Sequence, residues 1–123
     1  ADYFRRTGIF PIMHTVVIKR EIYEQAPWVA MSMYNAFVKA KAFGDFEMRR
    51  APSTLFSALP WLMVHMEETE ALMGKDPFAY GLGAQNRMVI DTLLQYNYEH
   101  GLIPKKPTIE EFFALETHSA TSN

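Results

Sequence analysis

Between Ile12 and Ile18 the chain carries a short apolar run, Ile12-Met-His-Thr-Val-Val-Ile18, that follows Gly8 and Pro11 and is rich in β-branched residues. Such a run favours a strand buried on both faces over a helix. Period two sets His14, Val16 and Ile18 on one face and Met13, Thr15 and Val17 on the other, with Pro11 at the entrance and Lys19-Arg-Glu21 at the exit. Every later segment reads as helix or loop. One strand among four or five helices constrains the fold severely, because a lone strand leaves both hydrogen-bonding edges unpaired. Its partners must come from elsewhere, and for the isolated chain the expectation is pairing between two copies or a swapped dimer.

The remaining segments are punctuated by proline and glycine. A short turn of helix is expected near Glu21 to Gln25. Pro27 suits the first position of a helix running to about Phe43, apolar all round except for Ser32, Asn35 and Lys39, and therefore packed on most sides. Gly44 reads as its C-terminal cap and 45–51 as a charged loop. Pro52-Ser-Thr54 opens another helical stretch, which Pro60 restarts as a separate helix to Met73. Leu62, Met66 and Met73, with Trp61 beside them, form its core face, while Glu67, Glu68 and Glu70 meet water. After Gly74, a loop at 76–83 leads to a helix from Ala84 to His100 with Val89, Leu93 and Tyr96 inward and Gly101 as its stop. Thr108-Ile-Glu-Glu111 has capping-box spacing for a last short helix that docks Phe112 and Phe113. The tail at 116–123 is expected to fray.

The 123 residues form one unit without internal repeats, and 49% hydrophobic residues argue against disorder. The formal charge of −2 and scattered Lys and Arg give no nucleic-acid footprint and no polybasic membrane patch. No apolar run approaches the roughly 20 residues that span a bilayer, so the piece reads as soluble. Without cysteine there is no disulfide frame, thiolate metal site or cysteine nucleophile. The sequence opens without Met and directly on an arginine pair, so an upstream segment is expected, and export of the parent stays open.

Four separated motifs occur in order: Tyr3-Phe-Arg-Arg-Thr-Gly-Ile-Phe-Pro-Ile-Met-His14 with the apolar run after it, Ala26-Pro-Trp-Val-Ala30, Leu59-Pro-Trp-Leu62, and Pro107-Thr-Ile-Glu-Glu-Phe-Phe-Ala114. Over residues 3 to 118 the chain resembles the C-terminal part, about the last third, of the 4,5-dihydroxyphthalate decarboxylase family. That resemblance implies an α/β chain, mainly helical in this fragment, from the C-terminal part of a type II periplasmic-binding-protein-like fold with one or two strands and four or five helices. The single domain 1–123 would join the upstream part of the same protein, which would supply the strand's neighbours. It also implies a cytoplasmic location, a small aromatic carboxylate as ligand and release of carbon dioxide.

Within this resemblance His14 is the candidate acid or proton shuttle, because aryl decarboxylation must deliver a proton to the ring carbon and imidazole does so near neutral pH. Its alternative is a core histidine bonded to a backbone carbonyl. Arg5 or Arg6 would hold a carboxylate through the planar guanidinium fork, and the alternative for each is a solvated surface. Thr7, Gly8 and Phe10 complete the candidate substrate-binding loop, Gly8 either admitting the ligand or only shaping the turn. No cofactor is expected, since a hydroxyl para to the departing carboxylate feeds electron density to the carbon being protonated. Metal content of a complete cleft stays open.

Other groups read as structural. His65 and Glu68 lie three apart on a helix, but two ligands are not a metal site. His100 caps a helix end and His118 lies in the tail. Trp28, Phe37, Trp61, Tyr96, Tyr98, Phe112 and Phe113 are expected in the core, Phe10 and Tyr80 in loops. Neither a serine elbow nor a phosphate-cradling glycine loop occurs. Two rival functions remain: a solute-binding protein of an ABC importer, periplasmic and without catalysis, and a helical interaction domain. A two-lobed cleft needs both lobes, so little or no activity is expected of this segment alone.

Overall fold

A computed structural model of the chain describes residues 1–54 and 58–122. Among the described residues five α-helices follow in order: α1 (Asp2–Thr7), α2 (Arg20–Gln25), α3 (Trp28–Thr54), α4 (Leu62–Met73) and α5 (Ala84–Glu99). Two short 3-10 turns, Ile109–Glu111 and Leu115–Thr117, close the chain. The mainly helical character expected of the chain is present. No strand is formed among the described residues, and 8–19 carries no regular structure. The apolar run at 12–18 thus lies open instead of forming the expected strand, because the described chain offers it no second strand to pair with. The sole β-type pairing among the described residues is one antiparallel bridge between Gly81 and Thr121.

Helix α3 corrects the expected break at Gly44. It runs through Gly44 and the supposed loop at 45–51, and it reaches Thr54. A mid-helix glycine costs about 1 kcal/mol relative to alanine. Neighbouring pairs at helical spacing offset part of this: Lys41 to Asp45 at 3.2 Å and Arg50 to Glu47 at 3.1 Å. The helical continuation expected beyond Thr54 falls on 55–57, outside the described residues. Helix α4 begins after Pro60 as anticipated, and the Gly74 amide donates to the Glu70 carbonyl at its end. Glu70 turns toward α3, where its carboxylate pairs with Arg49 at 3.3 Å, rather than meeting water alone.

Among the described residues the buried ones are few: Ala30, Leu82, Val89, Leu94 and Ile109. Leu82, Leu94 and Ile109 form one cluster, with Ile90 and Phe113 packed against it. The inward face of α5 is thus Val89 and Leu94, whereas Leu93 and Tyr96, expected inside, are exposed. At its end the Leu102 amide reaches back to the Asn97 carbonyl and Gly101 takes φ 70°, a left-handed stop suited to glycine. The capping box forms as its spacing predicts: the Thr108 amide donates to the Glu111 carboxylate at 2.7 Å, on a 3-10 turn. Phe113 reaches the core. Trp28, Phe37, Trp61, Tyr96, Tyr98 and Phe112 do not, and all six are exposed.

The last residues return to the body. Ile109–Glu111 packs on α5 and Leu115–Thr117 on α3. The Leu82 amide donates to the Ala120 carbonyl at 2.9 Å, and the Ser122 amide to the Tyr80 carbonyl at 3.0 Å. Ser122 Oγ accepts from the Tyr80 amide and donates to Asp76, whose carboxylate also holds Lys41 at 2.6 Å. Within the tail at 116–123, expected to fray, Ala120 and Ser122 are in this way hydrogen-bonded to the 76–82 loop. The approach is tight at Gly81, where φ is 91° and an added Cβ would collide with the Ala120 carbonyl.

The candidate ligand-binding loop

The arginine-bearing segment is helical rather than the polar loop its composition suggests. Asp2 in the first turn of α1 and Arg5 and Arg6 in the last complement the helix dipole. Gly8 ends the helix in the left-handed region at φ 68°, its amide bonded to the Phe4 carbonyl at 2.7 Å. Thr7 is tied locally: its hydroxyl donates to the Tyr3 carbonyl at 2.8 Å and accepts from the Ile9 amide at 3.1 Å.

The two arginines differ. Arg5 Nη1 lies 2.7 Å from the Asp2 carboxylate, a pair three residues apart with both side chains exposed. Arg6 is exposed and makes no ion pair or side-chain hydrogen bond among the described residues. Of the two, Arg6 has its guanidinium fork free for an incoming carboxylate. His14 is likewise exposed, with no hydrogen bond to another described residue.

Three residues far along the chain seat this loop. Gln85, in the first turn of α5, donates from Nε2 to the Gly8 carbonyl. Met88, one turn on, closes against the same glycine, its methyl 3.4 Å from where a Cβ would stand. Phe10 meets Phe78 edge to face, with centroids 5.6 Å apart and planes at 75°. Asn86, beside Gln85, donates to the carbonyls of Ala79 and Gly81 at 2.7 and 2.8 Å and fixes the loop that carries Phe78. One end of α5 therefore anchors both the 8–10 and the 78–81 segments. Sequence reasoning placed Phe10 in a loop but missed Phe78, Gln85 and Met88. Their only trace in the sequence is an aromatic in a glycine-rich stretch and an amide at a helix start.

Elsewhere, polar side chains serve the fold. Burial lowers the affinity of the Lys41 ammonium for its proton, but bonds to Asp76 and Asp45 outweigh this and raise its pKa. The Tyr23 hydroxyl donates to Glu116 at 2.7 Å, raising its own pKa and lowering that of Glu116. His65 Nδ1 and Glu68 stand 3.5 Å apart on α4 with both side chains exposed, and no cluster of three or more His, Asp or Glu residues suited to a metal occurs among the described residues. No helix is long and apolar enough to cross a membrane among the described residues.

The comparisons with known proteins bear on this loop. No family model matches the chain. It is 30% identical over 113 residues to 4,5-dihydroxyphthalate decarboxylase of Comamonas testosteroni, a match covering 92% of this chain and 34% of that protein. The chain therefore spans about a third of the length of the relative it matches.

Proposed function

We propose that the protein carrying this chain is a decarboxylase of 4,5-dihydroxyphthalate or a related hydroxylated aromatic acid. The observation that carries this reading is the 30% identity to the Comamonas testosteroni enzyme across nearly the whole chain. Arg6 holds the carboxylate that stays, since Arg5 is already engaged by Asp2. Phe10, anchored by Phe78, presents an aromatic ring beside it. His14 delivers a proton to the ring carbon that bears the departing carboxylate, assisted by the hydroxyl para to it. The carbon–carbon bond then breaks, its electron pair restores the aromatic ring, and carbon dioxide leaves.

The test is carbon dioxide release from 4,5-dihydroxyphthalate by the protein that carries this chain, with a His14→Asn variant and a chelated sample alongside. The expected result is turnover that survives chelation and falls about 100- to 10,000-fold in the variant. Turnover unchanged by His14→Asn removes that residue from the mechanism. Tight binding of an aromatic acid without turnover replaces the decarboxylase with a solute-binding protein.

A further inference from the structure

Helix α1 carries Arg5 and Arg6 in its last turn but spans six residues, fewer than the roughly 12–15 that let a helix persist unaided. Its placement is therefore set by what grips its end. The grip falls on Gly8, whose carbonyl accepts from Gln85 Nε2 and whose open side the Met88 methyl closes. Phe10, two residues on, is fixed edge to face against Phe78. Gln85 itself stands on a well-held part of the fold. Asn86 beside it holds the Ala79 and Gly81 carbonyls, Arg87 holds the Leu82 carbonyl, and Leu82 and Val89 are buried.

We propose that Gln85 is a positioning residue for an aromatic carboxylate, acting through the Gly8 carbonyl on Arg6 and Phe10 rather than on the ligand. It rests on the reading above, in which Arg6 and Phe10 meet that ligand. A guanidinium fork takes a carboxylate through two parallel bonds, a geometry that a displacement of about 1 Å disrupts. Gly8 lies midway between Arg6 and Phe10, so one bond at its carbonyl governs where both side chains stand. A loop already held in place binds without first being ordered, whereas a released loop loses affinity to that ordering. Once the ligand is bound, the loop is ordered in either case. The loss on releasing it therefore falls on Kd and KM rather than on kcat.

The test uses the whole protein that carries this chain, as wild type, Gln85→Met and Gln95→Met. Methionine matches glutamine in length and helix propensity but has no N–H to donate. Gln85 is exposed, so its replacement is expected to leave the fold intact. Gln95 lies on the same helix and donates to Glu99, four residues on, so its variant controls for a change in α5 itself. The readouts are amide hydrogen exchange in peptides covering 4–12, Kd for 4,5-dihydroxyphthalate by calorimetry, and KM and kcat for carbon dioxide release.

Gln85→Met is expected to quicken exchange at 4–12 and to raise Kd and KM about 3- to 10-fold, the worth of one hydrogen bond. Gln95→Met is expected to match wild type. In an Arg6→Met background, Gln85→Met should raise Kd less than it does alone, because a group that it places is gone. A merely structural role would cost the same in both backgrounds. Unchanged exchange, an unchanged Kd, an equal loss with Arg6→Met or an equal loss in Gln95→Met overturns the proposal. The reading beneath it fails separately. A wild-type protein that binds the acid without turnover is no decarboxylase, and Kd and exchange still decide the role of Gln85. A wild-type protein that does not bind the acid ends both.

Discussion

Arg87 engages three groups at once: Nε donates to the Leu82 carbonyl, Nη1 to Glu110 at 2.7 Å and Nη2 to the His118 carbonyl at 3.1 Å. The contact with Arg87 lowers the Glu110 pKa. The Thr108 amide, aided by Lys105, does the same for Glu111, and the Tyr23 hydroxyl for Glu116. All three carboxyls bind protons less readily in the folded chain than at their ordinary value of 4.5. Their stabilising contribution is therefore complete above that value and lost as pH falls through the lower folded values. Thermal melts are expected to drop between about pH 5 and pH 3. Glu111→Gln should flatten the drop, because glutamine keeps an acceptor for the Thr108 amide without a titrating proton. An unchanged slope in that variant would remove Glu111 from the acid response. The Thr108–Glu111 motif was legible in advance because its partners are three residues apart. Arg87 was not, because its partners are distant in sequence.

At the scale of elements, local signals were read correctly where nothing competed with them. Pro60, Gly74 and Gly101 bound helices as proline and glycine commonly do. Gly44 misled for the opposite reason: its cap signal is weak beside the helix-compatible residues and ion pairs around it. An added Cβ at Gly44 meets nothing within 4 Å. Gly44→Ala is therefore expected to stabilise the chain by about 1 kcal/mol, measured by denaturant or thermal unfolding. A destabilised variant would show that helix α3 is broken there in solution. The 12–18 run shows the limit of such reading. Its period and composition are visible in the sequence, but a ladder needs a second strand, and no residue in the run encodes where that strand lies. The candidate site divides in the same way. Arg5, Arg6 and His14 are recognisable from chemical type, whereas the seat that Gln85, Met88 and Phe78 provide depends on chain folding across some seventy residues.

The whole molecule rests on a small interior. Leu94 is 6% exposed at the centre of the cluster with Leu82 and Ile109. Leu94→Ala is expected to cost about 2–4 kcal/mol. That is a large share of the 5–15 kcal/mol typical of a domain, so this variant should unfold at markedly lower denaturant concentration than the parent. A loss below about 0.5 kcal/mol, the size of an ordinary surface substitution, would mean that stability resides elsewhere. The exposed Trp28, Trp61 and Phe112 belong to the same account. Their aromatic character was evident, but which of them is covered depends on surfaces beyond their own helices.

The crossing of the 80–82 loop by residues 120–122 leaves a mark on what the gene can vary. Two glycines of identical codon meaning face opposite fates: at position 44 a library of random replacements should return many residues, while at position 81 it should return glycine alone. Shortening the chain before Ala120 would lift the steric half of that restriction and leave the half imposed by the positive φ. The tolerance of one site is thus set by a carbonyl thirty-nine positions away.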